Sequence, residues 1–159
     1  MSQKVFNIIF SCAIAVLGVS IYHLRYSVEN IKPLEIKVEY IVNGEQPDFF
    51  SKSPQEGLIE ALEYYEIKHP QIVYAQAVLE TGHFKSNVCL NYNNLFGLYD
   101  SKNKDYYKFN HWAESIVAYK EWIQKKYQPP NNYYVFLEEI NYASDKEYIS
   151  ILKSIVNKK

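Results

Sequence analysis

The stretch VLETGHFKS, residues 78–86, places an acidic side chain at the end of an apolar run and then ends that run with Thr-Gly. From His69-Pro70 onward the chain is dense in Ile, Val, Ala and Leu, which predicts a buried helix that stops near Gly82. Glu80 therefore stands in the last helical turn, where the helix dipole disfavours its ionised form by roughly 0.3–1 kcal/mol. The pKa of Glu80 is expected to be raised, which suits a residue that must hold a proton near neutral pH.

Further helical patterns lie on both sides of this segment. Ser53-Pro54-Gln55-Glu56 has the sequence of a capping box and predicts a helix to about residue 67. Apolar spacing predicts helices over 112–127, 132–141 and 144–156, the last with a second capping box at Ser144 to Glu147. Residues 86–111 lack this spacing and predict loops with room for a small hairpin. The sequence therefore predicts an α+β fold, predominantly helical, with a small irregular or β lobe flanking a cleft.

The amino-terminal part of the chain is different in character. Residues 5–22 are uncharged and mostly apolar, so residues 1–24 are predicted to be a transmembrane anchor or, alternatively, a cleavable signal peptide. Residues 25–50 form a connector, in which the alternation over 36–40 permits a short strand. The rest of the chain, residues 51–159, is expected to form one domain. We expect it to face the periplasm or the cell exterior, either held at the inner membrane or secreted after signal cleavage.

Charge and cysteine usage exclude several classes of function. The net charge is −1 and the Lys and Arg residues are scattered, so we expect no nucleic-acid partner. The two cysteines, Cys12 and Cys89, lie one in the apolar leader and one in the body, which argues against an internal disulfide. The four histidines lack the spacing of metal ligands, and we expect neither a metal nor another cofactor.

Tyrosine is unusually frequent, with sixteen in 159 residues. Tyrosine rings can fill a core that is poor in Phe and Trp, and they can also present a flat face and a hydroxyl to a sugar. The sequence leaves both interpretations open for any one of them.

Four blocks in the body resemble, in order, the signature blocks of a known family. They are AQAVLETGHFKS (75–86), NNLFGLY (93–99), KFNHWAESIVAYKEWI (108–123) and NYASDKEYISILKSIV (141–156). Together they resemble the bacterial glucosaminidase family, the family 73 peptidoglycan hydrolases of the lysozyme-like superfamily. The resemblance implies a lysozyme-like domain whose substrate is the glycan strand of peptidoglycan.

The resemblance also implies a role for two acidic residues. Glu80 matches the catalytic general acid, in agreement with the helix-end argument above. Glu114 matches a second acidic position that has been argued to act as general base. An inverting scheme would need this second carboxylate to activate water, whereas in a substrate-assisted scheme the N-acetyl group of the sugar replaces it.

Four more residues are assigned to the cleft by the same resemblance. Asn94, Phe96 and Gly97 match the motif that shapes the cleft floor near the acid, and we predict that they contact substrate. Tyr142 matches a tyrosine that lies close to the acid and helps to orient substrate or water.

The chain departs from the family pattern at several positions. His83-Phe84 stands where the family usually has Trp-Gly, Tyr99 stands where a lysine or a similar residue is usual, and Lys146 stands in place of a proline. The first departure lies next to Glu80 and bears on the shape of the cleft.

We therefore predict an endo-β-N-acetylglucosaminidase that cleaves the β-1,4 bond between N-acetylglucosamine and N-acetylmuramic acid. Two alternatives remain open on the sequence. A lytic transglycosylase would use a single glutamate and leave an anhydro product, and an inactive module would bind peptidoglycan without cutting it.

Overall fold

Six α-helices and one short hairpin form residues 46–158, the part of the chain that the computed structural model describes. A 3₁₀ turn at Asp48–Ser51 comes first, and a second 3₁₀ turn, Gln124–Lys126, follows α4. The predicted fold class, predominantly helical with a small β lobe, is confirmed. The elements in chain order are α1 (Pro54–Tyr64), α2 (Pro70–Glu80), α3 (Asn87–Tyr92), β1 (Tyr99–Asp100), β2 (Asp105–Tyr106), α4 (Trp112–Trp122), α5 (Tyr133–Glu139) and α6 (Tyr148–Val156).

Helix α2 lies at the centre, packed against α1 and α6. Residues 75–78 are all buried, and so is Val73. A helix that is apolar on nearly every face belongs inside a protein, so the density of apolar residues in the sequence correctly predicted its position. The last residue of this rigid central helix is Glu80.

Helix α1 is held at its start by a carboxylate and along its side by aromatic rings. The Glu56 carboxylate accepts hydrogen bonds from the Ser53 amide, at 3.2 Å, and the Ser53 hydroxyl, at 2.7 Å, as expected of a capping box. Gly57 lets the rings come close, because a Cβ there would lie 3.1 Å from Cβ of Phe49 and 3.2 Å from the ring of Trp112. The 3₁₀ turn at Asp48–Ser51 is thereby packed onto the helix.

The segment between α2 and α4 contains one helix that the sequence pattern did not predict. Ser86 caps α3, its hydroxyl accepting from the Cys89 amide at 3.2 Å. The predicted hairpin follows, with Tyr99 opposite Tyr106 and Asp100 opposite Asp105. Its exposed turn is closed by the Asp100 carboxylate, which accepts from the next backbone amides.

Three predicted helix boundaries differ from the structure. The helix predicted to about residue 67 ends at Tyr64, and at the other two boundaries a side chain bonds to backbone. The predicted helix 112–127 ends at Trp122, and the amide of Gln124 instead bonds to the backbone of Lys68. The predicted capping box at Ser144 does not form, and α6 begins at Tyr148. The Asp145 carboxylate accepts from the Glu147 amide at 2.8 Å, which makes a local turn where the first helical turn was expected.

Three sequence predictions fall outside the described residues. They are the membrane anchor or signal peptide at 1–24, most of the connector, and the short strand at 36–40. Among residues 46–158, no helix has both the length and the hydrophobicity needed to span a bilayer.

Candidate active site

Glu80 ends α2 with its carboxyl group partly buried. The Tyr148 hydroxyl, on α6, donates to Oε1 of Glu80 at 2.9 Å. Burial raises the pKa of Glu80 from its ordinary value, and the hydrogen bond from Tyr148 opposes part of that rise. A carboxyl group with a raised pKa carries its proton into a pH range in which an exposed glutamate is ionised.

The chain turns sharply away after Glu80 through three left-handed residues. Gly82, His83 and Phe84 have φ values of 55°, 62° and 63°. The Thr81 hydroxyl holds this turn, since it donates to the Ala77 carbonyl at 2.6 Å and accepts from the Phe84 amide at 2.8 Å. The turn fixes where α2 stops, and so fixes the position of the carboxyl group.

The loop that faces Glu80 is built around the buried amide of Asn94. Its Nδ2 donates to the carbonyls of Leu98, at 2.9 Å, and Tyr107, at 3.0 Å, and its Oδ1 accepts from the Leu98 amide at 3.0 Å. These bonds bring the backbone of Gly97 against the acid, where a Cβ would lie 3.5 Å from Oε2 of Glu80. Asn94 therefore shapes the loop from behind, while Gly97 faces the carboxyl group.

Tyr142 lies beside Glu80, and its hydroxyl donates to the carbonyl of Phe96 at 3.2 Å. Its ring is 5.8 Å from that of Tyr148, centroid to centroid. The family resemblance identified Tyr142 as the tyrosine close to the acid, but in the structure it is Tyr148 that makes the hydrogen bond to the carboxyl group. The spacing of Tyr148 and Leu152, one turn apart on the apolar stripe of the last helix, is the signal that could have indicated it.

Two cavities open at Glu80, and both Glu80 and Tyr142 line each of them. The larger one, of about 490 Å³, is lined by Glu80, Phe96, Gly97, Leu98, Tyr99, Tyr107, Trp122, Ile123, Lys126, Ile140, Asn141 and Tyr142. The smaller, of about 390 Å³, is lined by Leu79, Glu80, Tyr142, Ala143, Ser144, Asp145, Tyr148 and Ile151.

Aromatic side chains dominate the wall of the larger cavity. The rings of Tyr107 and Trp122 lie 4.6 Å apart, centroid to centroid, and Tyr99 stands exposed at the hairpin. Flat apolar rings with polar edges suit the faces and hydroxyl groups of a sugar. Lys126 adds a cationic group to the same wall.

Glu114 lies in the first turn of α4 and is not among the residues that line the two cavities. Its carboxylate accepts from the Asn110 amide at 3.0 Å, and its charge acts on Tyr65 and His111. The structure thus brings together Glu80, Phe96, Gly97 and Tyr142 in one cleft, with Asn94 behind it, and leaves Glu114 outside the lining.

The sequence model of one protein family matches most of this region. It is the glucosaminidase model, described as mannosyl-glycoprotein endo-β-N-acetylglucosaminidase, and it matches residues 55–159. The chain belongs to the glucosaminidase family. Among solved structures, the catalytic domain of the autolysin Auto from Listeria monocytogenes is similar at 20% identity, over 72% of this chain and 86% of that one, with a TM-score of 0.46. No curated protein matches the sequence.

Two residues of this glucosaminidase domain depart from the family pattern right beside the acid. His83 is exposed, whereas Phe84 is buried and packs against Tyr74 with ring centroids 6.3 Å apart. Phe84 thus combines a left-handed backbone, which is costly for a residue with a side chain, with a buried ring.

The chemistry available to the glucosaminidase site is that of one carboxylic acid, Glu80, which lines two open cavities. Within residues 46–158, no three His, Cys, Asp or Glu side chains are grouped as ligands of a metal ion would be. The protonated carboxyl group of Glu80 can pass its proton to an oxygen atom that lies in the groove.

Proposed function

We propose that this glucosaminidase domain hydrolyses the β-1,4 bond between N-acetylglucosamine and N-acetylmuramic acid in peptidoglycan, with Glu80 as general acid. The observation that supports it most is the place of Glu80 in the lining of two cavities, with a raised pKa and one oxygen bonded to Tyr148. A glycan strand that runs along the groove from one cavity to the other presents a glycosidic oxygen to this carboxyl group.

In the proposed reaction, Glu80 transfers its proton to the glycosidic oxygen as the bond between that oxygen and the anomeric carbon breaks. The leaving sugar departs as a neutral alcohol, and positive charge grows at the anomeric carbon. Glu80 becomes a carboxylate, which accepts a hydrogen bond from Tyr148. Tyr142, which lines both cavities, orients the substrate or the attacking water.

The position of Glu114 favours one of the two ways of meeting the positive charge. An inverting enzyme needs a second carboxyl group at roughly 6.5–9.5 Å from the acid, with a water molecule between them. Because Glu114 is outside the lining of both cavities, the scheme in which the N-acetyl group of the substrate attacks the anomeric carbon has the stronger support. Water then attacks the anomeric carbon, opens the cyclic intermediate and regenerates the N-acetyl group, while the proton that this water loses returns to the Glu80 carboxylate.

The sequence supports a location outside the cytoplasm. Residues 1–24 act as a membrane anchor or as a cleaved signal peptide, 25–50 as a connector, and 51–159 as the catalytic domain. The domain then faces the periplasm or the cell exterior, where peptidoglycan is found.

The test is the digestion of purified peptidoglycan by the full-length chain, followed by turbidity and by mass spectrometry of the products. We expect reducing N-acetylglucosamine ends, and a loss of about 100-fold or more in lysis rate for Glu80→Gln, as for removal of a general acid. Glu63→Gln, on the exposed side of α1, is the matched control and should lyse as the wild type does.

Each alternative gives a different result in the same experiment. Anhydromuramic ends would identify a lytic transglycosylase. Wall binding without lysis, unchanged in Glu80→Gln, would identify a binding module. A Glu114→Gln variant that loses as much activity as Glu80→Gln would favour the inverting scheme over the substrate-assisted one.

A further inference from the structure

A chain of buried hydrogen bonds begins at the start of α2 and runs through the core. The Lys68 amide donates to Oε1 of Gln124 at 2.7 Å, and Nε2 of Gln124 donates to the Lys68 carbonyl at 2.9 Å. These two backbone groups decide which end of the Gln124 amide is oxygen and which is nitrogen. The same Nε2 also donates to the Tyr133 hydroxyl at 3.0 Å, so the Tyr133 oxygen is the acceptor there.

The next two links inherit their direction from the first. Tyr133 accepts from Gln124 and therefore has its hydroxyl proton left to donate, and the Tyr119 hydroxyl lies 2.8 Å away. Tyr119 in turn donates to Oε1 of Gln76 at 2.7 Å. Tyr119 and Gln76 are fully buried, so water does not compete for these bonds.

The last two links end on the general acid. With its oxygen facing Tyr119, Gln76 turns its Nε2 towards the Tyr148 hydroxyl, at 3.4 Å, the longest link of the chain. The Tyr148 hydroxyl then donates to Oε1 of Glu80 at 2.9 Å. The side chains that carry these bonds, here called the relay, are Gln124, Tyr133, Tyr119, Gln76 and Tyr148.

From Gln124 onward, each member of the relay donates a hydrogen bond to the next one on the way to Glu80. We propose that the relay positions the general acid. It keeps the Tyr148 hydroxyl donating to Oε1 of Glu80, and so stabilises the carboxylate that forms when Glu80 gives up its own proton. The proposal rests on the proposed function, because it takes Glu80 as the acid. Gln76, Tyr119, Tyr133 and Gln124 act through Tyr148 and touch no substrate.

A different arrangement would not have this effect. If the Gln76 amide were reversed, its oxygen would accept the Tyr148 proton and turn it away from Glu80. The backbone of Lys68 prevents the reversal at a distance, since it fixes Gln124 and hence each following link.

The other titratable groups around Glu80 belong to several segments. Those that share its two cavities are Tyr99, Tyr107, Lys126, Tyr142, Asp145 and Tyr148. Of these, Tyr148 makes the hydrogen bond to the Glu80 carboxyl group. This bond lowers the pKa of Glu80, whereas burial of the carboxyl group raises it. Removing relay bonds leaves the remaining groups in place.

The sign of the expected effect follows from the direction of the relay. Its donors favour the ionised form of Glu80, so breaking it raises the pKa of Glu80 further. Neighbouring hydrogen bonds in a chain strengthen each other by roughly 10–30% per bond, so Tyr119→Phe should raise the pKa of Glu80 and Tyr148→Phe should raise it by more. Because the acid must be protonated to act, the basic limb of the pH profile of lysis should move to higher pH by the same amount.

The experiment is a titration of the full-length chain by NMR, following the side-chain carboxyl carbon of Glu80, which is assigned by its absence in Glu80→Gln. Tyr119→Phe is compared with Tyr65→Phe, the matched control. The Tyr65 hydroxyl is also buried, but it has no hydrogen-bond partner among residues 46–158. We expect the Glu80 pKa to rise in Tyr119→Phe and to stay unchanged in Tyr65→Phe. The pH profile of lysis is measured on the same variants.

The outcomes separate this proposal from the proposed function. A Glu80 pKa that is the same in Tyr119→Phe as in the wild type, or lower, overturns the relay whatever the activity. If the Glu80 pKa rises in Tyr119→Phe but the wild-type chain fails to cut peptidoglycan, the relay is retained and the proposed function is overturned. Tyr133→Phe interrupts the relay one link further out and replaces Tyr119→Phe if that variant does not fold.

Discussion

The two oxygens of the Glu80 carboxyl group lie in different surroundings. Oε1 accepts from the Tyr148 hydroxyl, whereas Oε2 faces the backbone of Gly97. If the proton is on Oε2, the hydrogen bond from Tyr148 to Oε1 stays intact, and the proton points towards the wall of the larger cavity. Gly97 leaves room for a sugar oxygen at that point, since any side chain there would stand 3.5 Å from Oε2.

Gly97→Ala should reduce lysis by about tenfold, because the added methyl group displaces the reacting oxygen from Oε2. It should also cost about 1 kcal/mol of stability, since the backbone there is left-handed, with φ +60°. Gly82→Ala is the control: it has φ +55° but nothing within 4 Å of the added Cβ. It should lose similar stability in urea unfolding and keep its activity. Equal losses of activity in the two variants would mean that strain, and not contact with Glu80, is responsible.

The position of Glu80 at a helix end was predictable from a local signal, because Thr81-Gly82 ends the helix. The assignment of Gly97 to the cleft came from the family resemblance, and the structure places Gly97 in the lining of the larger cavity. The role of Tyr148 was missed, because the direction of its hydroxyl depends on Gln76 and on packing between helices that are distant in sequence. No local pattern carries that information.

At the scale of elements, helix centres were predictable and several ends were not. Sequence patterns indicated α1, α2, α4, α5 and α6, but the ends of α4 and α6 depend on side chains that bond to backbone, Gln124 and Asp145. The left-handed turn after α2 is another such end. It is built from one glycine and two residues that rarely adopt positive φ.

The two non-glycine residues of this turn should respond in opposite ways to replacement by glycine. His83→Gly relieves a left-handed strain of roughly 1–2 kcal/mol against an entropic cost of about 0.5–1 kcal/mol, and should stabilise by up to about 1 kcal/mol. Phe84→Gly relieves the same strain but removes a buried ring worth about 3–5 kcal/mol, and should destabilise by about 2–4 kcal/mol. Urea unfolding of both variants measures the difference. A stabilising Phe84→Gly would show that the ring contributes less than the strain costs.

At the scale of the whole domain, the packed core extends beyond the segment that matches the family. The match begins at residue 55, yet Phe49 is fully buried, with ring centroids 5.3 Å from Tyr64, 5.8 Å from Tyr65 and 6.0 Å from Trp112. The Trp112 indole also donates to the Lys52 carbonyl at 3.1 Å. These contacts fasten the segment before α1 to the body of the domain.

Phe49→Ala should therefore destabilise the full-length chain by about 3–5 kcal/mol, the usual cost of removing a fully buried phenylalanine. Phe50→Ala, at the next residue of the chain, is the control for this substitution. Phe50 is half-buried and stacks on His111 with ring centroids 4.4 Å apart, so its loss should cost about 1 kcal/mol. Thermal and urea unfolding of both variants test the ranking. Equal effects would place Phe49 outside the cooperative core.

The buried ring of Phe49 also decides how the domain bears a mechanical load. A pull applied to the chain from its amino-terminal side reaches Phe49 before it reaches the first turn of α1. The Phe49 ring must leave the aromatic cluster before tension can unfold α1. The cleft therefore keeps its shape under tension as long as this ring stays buried.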